Sequence, residues 1–317
     1  MLRTVGGGSL PAVSVEPAVA TALFPDRVAD AVEHKRSQLV VGLDPRPDLL
    51  PVELAGDAHA SRAVAAEACG RFCRGVVDAV APHVVGVKPQ LAFFEALGAD
   101  GVRALEDVCA YARSAGLLVL ADGKRGDIGS TSRAYAHAYL EARDEGPPLA
   151  DAITLNPYLG RDSLEPFLAA CRRDGAGIFC VVKTSNQGGA DVQDLTLSDG
   201  RPLWQHVARI VHELGEELVG RRGLSSVGAV VGATHPRAVR EARRLLPQAI
   251  LLLPGVGAQG ATPADLARAF TSGPASALVN ASRSVIYAFR GRAADWRTAA
   301  GVEAARLRRE VWAVSGW

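Results

Sequence analysis

The chain has 317 residues, of which 48% are hydrophobic and 22% charged, and 35 basic residues stand against 34 acidic ones for a formal net charge of +1. That much apolar surface builds a large core and excludes disorder over most of the chain. The balanced charge excludes an overall field that would draw the protein to nucleic acid or an anionic membrane, so any anion binding is local. Length leaves the domain count open, because an eight-stranded α/β barrel takes roughly 250 residues as one unit.

Residues 1–22 break their apolar stretches with Gly and Pro, lack the continuous apolar region of a signal peptide, and are expected to form a loose arm. Short, β-branched apolar runs then recur at 38–43, 84–88, 117–122, 152–156, 178–183, 227–233, 250–256 and 277–282. Their nearly unbroken hydrophobicity predicts parallel strands buried on both faces. Amphipathic stretches lie between them, among them Arg62 to His83, Gly101 to Gly116, Asp162 to Gly175, Leu203 to Arg222, Pro236 to Leu246 and Pro263 to Phe270. Thr262-Pro263 and Asp162 supply helix-start signals. Eight strand-helix alternations predict a (β/α)8 TIM barrel, a single domain over 23–317, in preference to an open doubly wound sheet, which more often stops at five or six strands.

Cys69, Cys73, Cys109, Cys171 and Cys180 are odd in number, form no C-x-x-C pair and sit in apolar runs, which points to buried thiols in a reduced, cytoplasmic protein. No segment reaches the roughly 18 uninterrupted apolar residues of a membrane helix. The seven histidines show no ligand spacing, so no metal is expected.

In barrels of this kind the carboxyl ends of the strands build the site. Here those ends carry Asp44, Lys88, Asp122 and Lys124, Thr184 and Ser185, Gly255 to Gly260, and Ser282 with Arg283. Asp122 and Lys124 are two residues apart and share a strand face, as do Gly86 and Lys88. By itself A-D-G-K-R-G-D reads equally well as a solvated turn. Matched with Lys88 and Asp44 above an apolar barrel, it reads as chemistry, because clustered ionisable groups there need mutual pairing. Asp127 lies beyond the Gly126 bend and is as able to reach a neighbouring subunit as this pocket.

G-V-G-A-Q-G at 255–260 fits the dinucleotide fingerprint G-x-G-x-x-G, which raises an NAD(P) oxidoreductase. It lies late in the chain, however, and the next strand ends in Asn280, Ser282 and Arg283 with no acid for a ribose. A loop that cradles one phosphate on backbone N–H groups, clamped by Arg283, suits it better. Residues 184–201, polar and rich in Gly and Asp, are a candidate lid.

Asp122-Gly-Lys124-Arg-Gly-Asp127-Ile-Gly-Ser-Thr131, together with VVGLDPRPDLLP, VGVKPQLAFFEALG, TLNPYLG, VVKTSNQGG, LLLPGVGAQG and VNASRSVIYA, resembles orotidine 5'-phosphate decarboxylase, in particular its longer bacterial subgroup, from about residue 25 to 290. The resemblance implies a cofactor-independent conversion of orotidine 5'-phosphate to uridine 5'-phosphate and carbon dioxide. It implies a charge array of Lys88, Asp122, Lys124 and Asp127, with Asp127 and Thr131 donated across a homodimer interface and Lys124 as proton donor. Asp44 would hold the ribose hydroxyls, Ser185 the pyrimidine, and Gly257, Gln259 and Arg283 the phosphate. Two departures, Gln187 after T-S-N where the family has proline and Ala261 after G-A-Q-G, touch loop shape and leave the charges intact. The alternatives are a magnesium-dependent sugar-phosphate decarboxylase or aldolase on the same barrel, and a non-catalytic nucleotide-binding barrel.

Overall fold

A computed structural model describes residues 22–56, 60–142, 146–256, 262–291 and 295–317. Eight parallel strands follow one another round a closed barrel: β1 (Leu39–Leu43), β2 (Gly86–Pro89), β3 (Leu118–Arg125), β4 (Ala152–Leu155), β5 (Gly177–Lys183), β6 (Ser225–Val231), β7 (Ala249–Pro254) and β8 (Ala277–Ala281), with β8 returning to β1. Each coincides with a predicted apolar run to within a few residues. β3 is the exception in length, extending past Asp122 to Arg125 across a register irregularity between Ala121 and Arg125.

Helix α1 (Phe24–Lys35) precedes the barrel, and the strand-helix pattern does not anticipate it. The outer shell consists of α2 (Arg62–Val80), α3 (Gly98–Ser114), α4 (Gly129–Leu140), α5 (Arg161–Asp174), α6 (Leu203–Gly215), α7 (Pro236–Leu245), a 3-10 helix (Pro263–Phe270) and α8 (Trp296–Ser315). The 263–270 segment is thus helical as predicted but wound more tightly than an α-helix. Asp265 begins it by accepting from both the backbone N–H (2.9 Å) and the hydroxyl (2.7 Å) of Thr262. Among the described residues no helix is long and apolar enough to cross a membrane.

The amino-terminal end of the barrel is sealed. Phe24, Val28 and Val32 of α1 pack against Val40, Leu120, Phe179, Ile250 and Leu278 from the strands. Phe24 meets Phe179 edge to face at 5.9 Å. Gly177 permits this approach, because a Cβ there would come within 2.3 Å of the Phe24 ring. A second, larger apolar layer joins the outer faces of the strands to the helices and takes in all five cysteines, which are buried as thiols and not as disulfides. With one end plugged and both sheet faces covered, the carboxyl-terminal mouth is where polar side chains can gather.

Candidate active site

At that mouth a cavity of about 170 Å³ is lined by Asp44, Lys88, Gln90, Asp122, Asn280, Ser282 and Arg283, with Pro254 to Val256 along one side. Larger clefts exist, one of about 700 Å³ outside the barrel beside Lys183 and one of about 560 Å³ between α1 and the carboxyl-terminal helix. Each holds one ion pair, Lys183–Asp194 (2.6 Å) in the first and Arg222–Glu33 (2.7 Å) in the second, whereas the smaller cavity gathers Asp44, Lys88, Asp122 and Arg283 at the carboxyl ends of the strands. Chemistry rather than size therefore selects the smaller cavity.

Asp122 is its centre. The carboxylate is buried and takes four donors: Lys88 Nζ at 2.6 Å and Gln90 Nε2 at 3.1 Å on Oδ2, Lys124 Nζ at 2.6 Å and Thr154 Oγ1 at 2.9 Å on Oδ1. Burial alone would raise its pKa, but the two ammonium groups overrule it and hold the carboxyl well below the usual carboxylate range. The lysines differ in setting. The Lys88 side chain is 6% exposed and committed to Asp122, whereas that of Lys124 is 46% exposed and retains N–H donors for a ligand at the mouth.

Lys124 reaches this position through the β3 irregularity. Its φ is +45°, an uncommon conformation for a residue with a side chain, and its N–H donates to Thr154 Oγ1 at 2.9 Å. One threonine on β4 thus fixes both the lysine backbone and the aspartate to which that lysine is paired. Thr154 and Gln90, which bond Asp122, and Asn280, which lines the cavity, are site residues that the sequence reading overlooks. A signal was available for Gln90, which shares strand parity with Lys88, and for Thr154, the inward polar residue at the end of β4.

Asp44 follows β1, in a loop held by Tyr287, whose hydroxyl donates to the Asp44 carbonyl and accepts from the Arg46 N–H, each at 2.9 Å. Burial pushes the Asp44 pKa up, while Lys88 and the nearby Ser282 hydroxyl draw it back. Arg283 opens the short helix Arg283–Ile286 and is exposed at the cavity edge. Gly257 and Gln259 lie outside the described residues.

Four predicted site residues among the described ones do not line the cavity: Lys124, which joins it only through Asp122, and three that stand apart from it. Asp127 is half-buried and accepts from the Ile128 N–H at 2.8 Å, and Thr131 is exposed on α4. Ser185 sits between the ends of β5 and β6, where a Cβ on Gly232 would come within 2.9 Å of its backbone N. The candidate lid is folded rather than featureless. It contains a 3-10 turn (Gln187–Gly189), a helical turn (Ala190–Gln193) and a bridge from Thr196 to Pro202. Gln193 ties it to the end of β5 by accepting from the Thr184 N–H (2.9 Å) and donating to the Thr184 hydroxyl (2.8 Å).

Comparison with known proteins gives the family of the chain. The model of the orotidine 5'-phosphate decarboxylase / HUMPS family matches residues 37–297, from just before β1 to beyond β8. The chain belongs to this family. An orotidine 5'-phosphate decarboxylase of Rhodopirellula baltica is 47% identical over 271 residues, 84% of this chain and 89% of the relative. One from Deinococcus radiodurans is 46% identical over 269 residues, 84% and 90% of the two chains. The solved structure of the Leishmania donovani OMP decarboxylase superposes with a TM-score of 0.70 at 32% identity, covering 92% of this chain and 98% of the other. Fold and family thus coincide with what the motifs imply.

Thr154→Val is nearly isosteric and removes one donor to Asp122 and the acceptor of the Lys124 N–H. It is expected to lower stability by about 1–3 kcal/mol in urea unfolding and to reduce decarboxylase turnover by at least about ten-fold. A variant matching the parent in both would show that Thr154 does not organise the pair.

Proposed function

We propose that the protein is a carbon-carbon lyase that converts orotidine 5'-phosphate to uridine 5'-phosphate and carbon dioxide, the last step of UMP synthesis, and that it does so without a cofactor. The observation that carries this reading is the Asp122 carboxylate clamped between Lys88 and Lys124 at the barrel mouth. Breaking the bond to the carboxylate leaves its electron pair on a ring carbon. That charge needs a fixed cation beside it and then a proton, and Lys124, exposed and anchored to Asp122, is placed to supply both.

The charge balance of the cluster favours one account of the rate over another. A bare Asp122 carboxylate would repel the substrate carboxylate by roughly 4 kcal/mol at 4 Å in an effective dielectric of about 20. Asp122 is not bare, since two ammonium groups lie at 2.6 Å from its oxygens. They screen the incoming carboxylate from Asp122, and the more exposed Lys124 is left to stabilise the carbanion that replaces it. Preorganised electrostatics supports catalysis more strongly here than ground-state repulsion.

In this reading Asp44 receives the ribose hydroxyls, Ser185 contacts the pyrimidine, and Arg283 holds the phosphate together with Gly257 and Gln259. Binding energy from the phosphate, remote from the reacting carbon, would position the ring. Asp127 and Thr131 serve the cavity of a second copy. Both lie off their own cavity, and the exposed apolar side chains of Ile128 (57%), Tyr158 (79%) and Leu159 (48%), on the segments after β3 and β4, would suit a two-fold homodimer interface. Five buried cysteine thiols, none in a disulfide, suit a reducing cytoplasm.

The test follows orotidine 5'-phosphate absorbance in the presence of EDTA. The parent should consume the orotate chromophore, and Lys124→Ala should do so at least about 10³-fold more slowly. Persistent chromophore with well-folded parent protein would refute the decarboxylase reading. For the shared site, specific activity should fall on dilution in step with dissociation measured by light scattering, and full turnover by a proven monomer would contradict it.

A further inference from the structure

Asn280 is the one buried polar residue of the cavity to which this mechanism gives no role. It ends β8 at 6% exposure, opposite Val40 of β1 and Pro254 of β7. Burying an amide is costly unless it is bonded. Its Oδ1 has no hydrogen-bond partner among the described residues, and its Nδ2 donates to Ser282 Oγ at 3.3 Å. An amide nitrogen can only donate, so that bond occupies an acceptor position of the hydroxyl and leaves the Ser282 proton available elsewhere.

Its destination is set by β1. Two residues beyond the Val40–Asn280 pairing, Gly42 meets Ser282, and a Cβ on Gly42 would come within 1.9 Å of Ser282 Oγ and 3.3 Å of Asp44 Oδ1. The missing side chain is the space in which the hydroxyl reaches between strands toward Asp44. We propose that Asn280 and Ser282 are positioning residues of the substrate site: Asn280 donates to Ser282, the freed Ser282 proton turns toward Asp44, whose Oδ1 has no partner among the described residues, and β8 thereby fixes the angle at which the β1 carboxylate meets the ribose hydroxyls. The inference rests on the reading of Asp44 given above and extends it to two residues acting through it.

The relay has a consequence for protonation. Lys88, Asp122 and Arg283 are the charged groups that face Asp44, with Cys73 and Tyr287 close enough to couple to it. The Ser282 hydroxyl is a further influence and favours the charged carboxylate. Losing it raises the Asp44 pKa, so a larger fraction is protonated at a given acidic pH and the acidic limb of kcat/KM moves upward.

The experiment compares kcat, KM and the pH profile of kcat/KM for the parent, Asn280→Ala, Ser282→Ala, Asp44→Ala and the Asp44→Ala/Asn280→Ala double variant, with thermal unfolding confirming that each folds. Both single relay variants should raise KM about ten-fold with kcat changed less than about three-fold, and both should shift the acidic limb upward. In the Asp44→Ala background, removing Asn280 should change KM less than about two-fold. An undiminished effect in that background, or an unchanged KM and acidic limb in Ser282→Ala, would overturn the relay. Ser282→Ala deletes a single oxygen and keeps the test decisive if Asn280→Ala folds poorly. Inactive parent protein would instead sink the decarboxylase reading, and the relay with it.

Discussion

A single carboxylate holds the site together. Asp122 is buried where water cannot stabilise its charge, and an ion pair of this kind is tolerated only with full hydrogen bonding. Lys88, Gln90, Lys124 and Thr154 supply it, from β2, the residue following it, β3 and β4. The arrangement depends on the order of the strands, because β2 and β4 flank β3 as parallel neighbours and bring three ends within reach of one side chain. It also depends on the irregularity in β3, which gives Lys124 its positive φ and lets its side chain fold back onto Asp122. Losing Asp122 itself would leave the buried Lys88 ammonium without its counter-charge, at a cost of about 3–5 kcal/mol.

Where the chain obeyed simple periodicity, the sequence was informative. All eight strands were legible because each is apolar on both faces, and Asp44, Lys88 and Asp122 were legible as the polar residues that end such runs. The alternation of β3 also placed Asp122 and Lys124 on one side, and they are paired, although the connection is a bulge and not a regular strand. Other features depend on contacts that no local pattern encodes. Thr154 looks like any strand threonine until β4 lies beside β3. The polarity of 184–201 suggested an open loop, yet Gln193 and Asp194 fasten it to Thr184 and Lys183 through bonds between residues nine and eleven apart. Helix α1 carries an apolar period in Phe24, Val28 and Val32 that becomes meaningful only once a barrel end requires a plug.

The two ends of the proposed substrate make opposite demands. The reacting end needs a rigid, mostly dry charge cluster, and Asp122 with its four donors provides one. The ribose end needs a carboxylate that is ionised yet unsaturated, and Asp44 keeps Oδ1 unpartnered among the described residues while burial pulls its pKa upward. β8 lies on the ribose side and supplies Asn280, Ser282 and Arg283, so one strand end addresses both sugar and phosphate.

The most direct measurement of this account is single-turnover decarboxylation by Asp122→Asn, a neutral and nearly isosteric variant, with unfolding followed in parallel. If the carboxylate organises the two ammonium groups, the rate should fall at least about 10³-fold while the protein stays folded. A folded variant within about ten-fold of the parent would show that Lys124 needs no anionic anchor and would contradict the central claim.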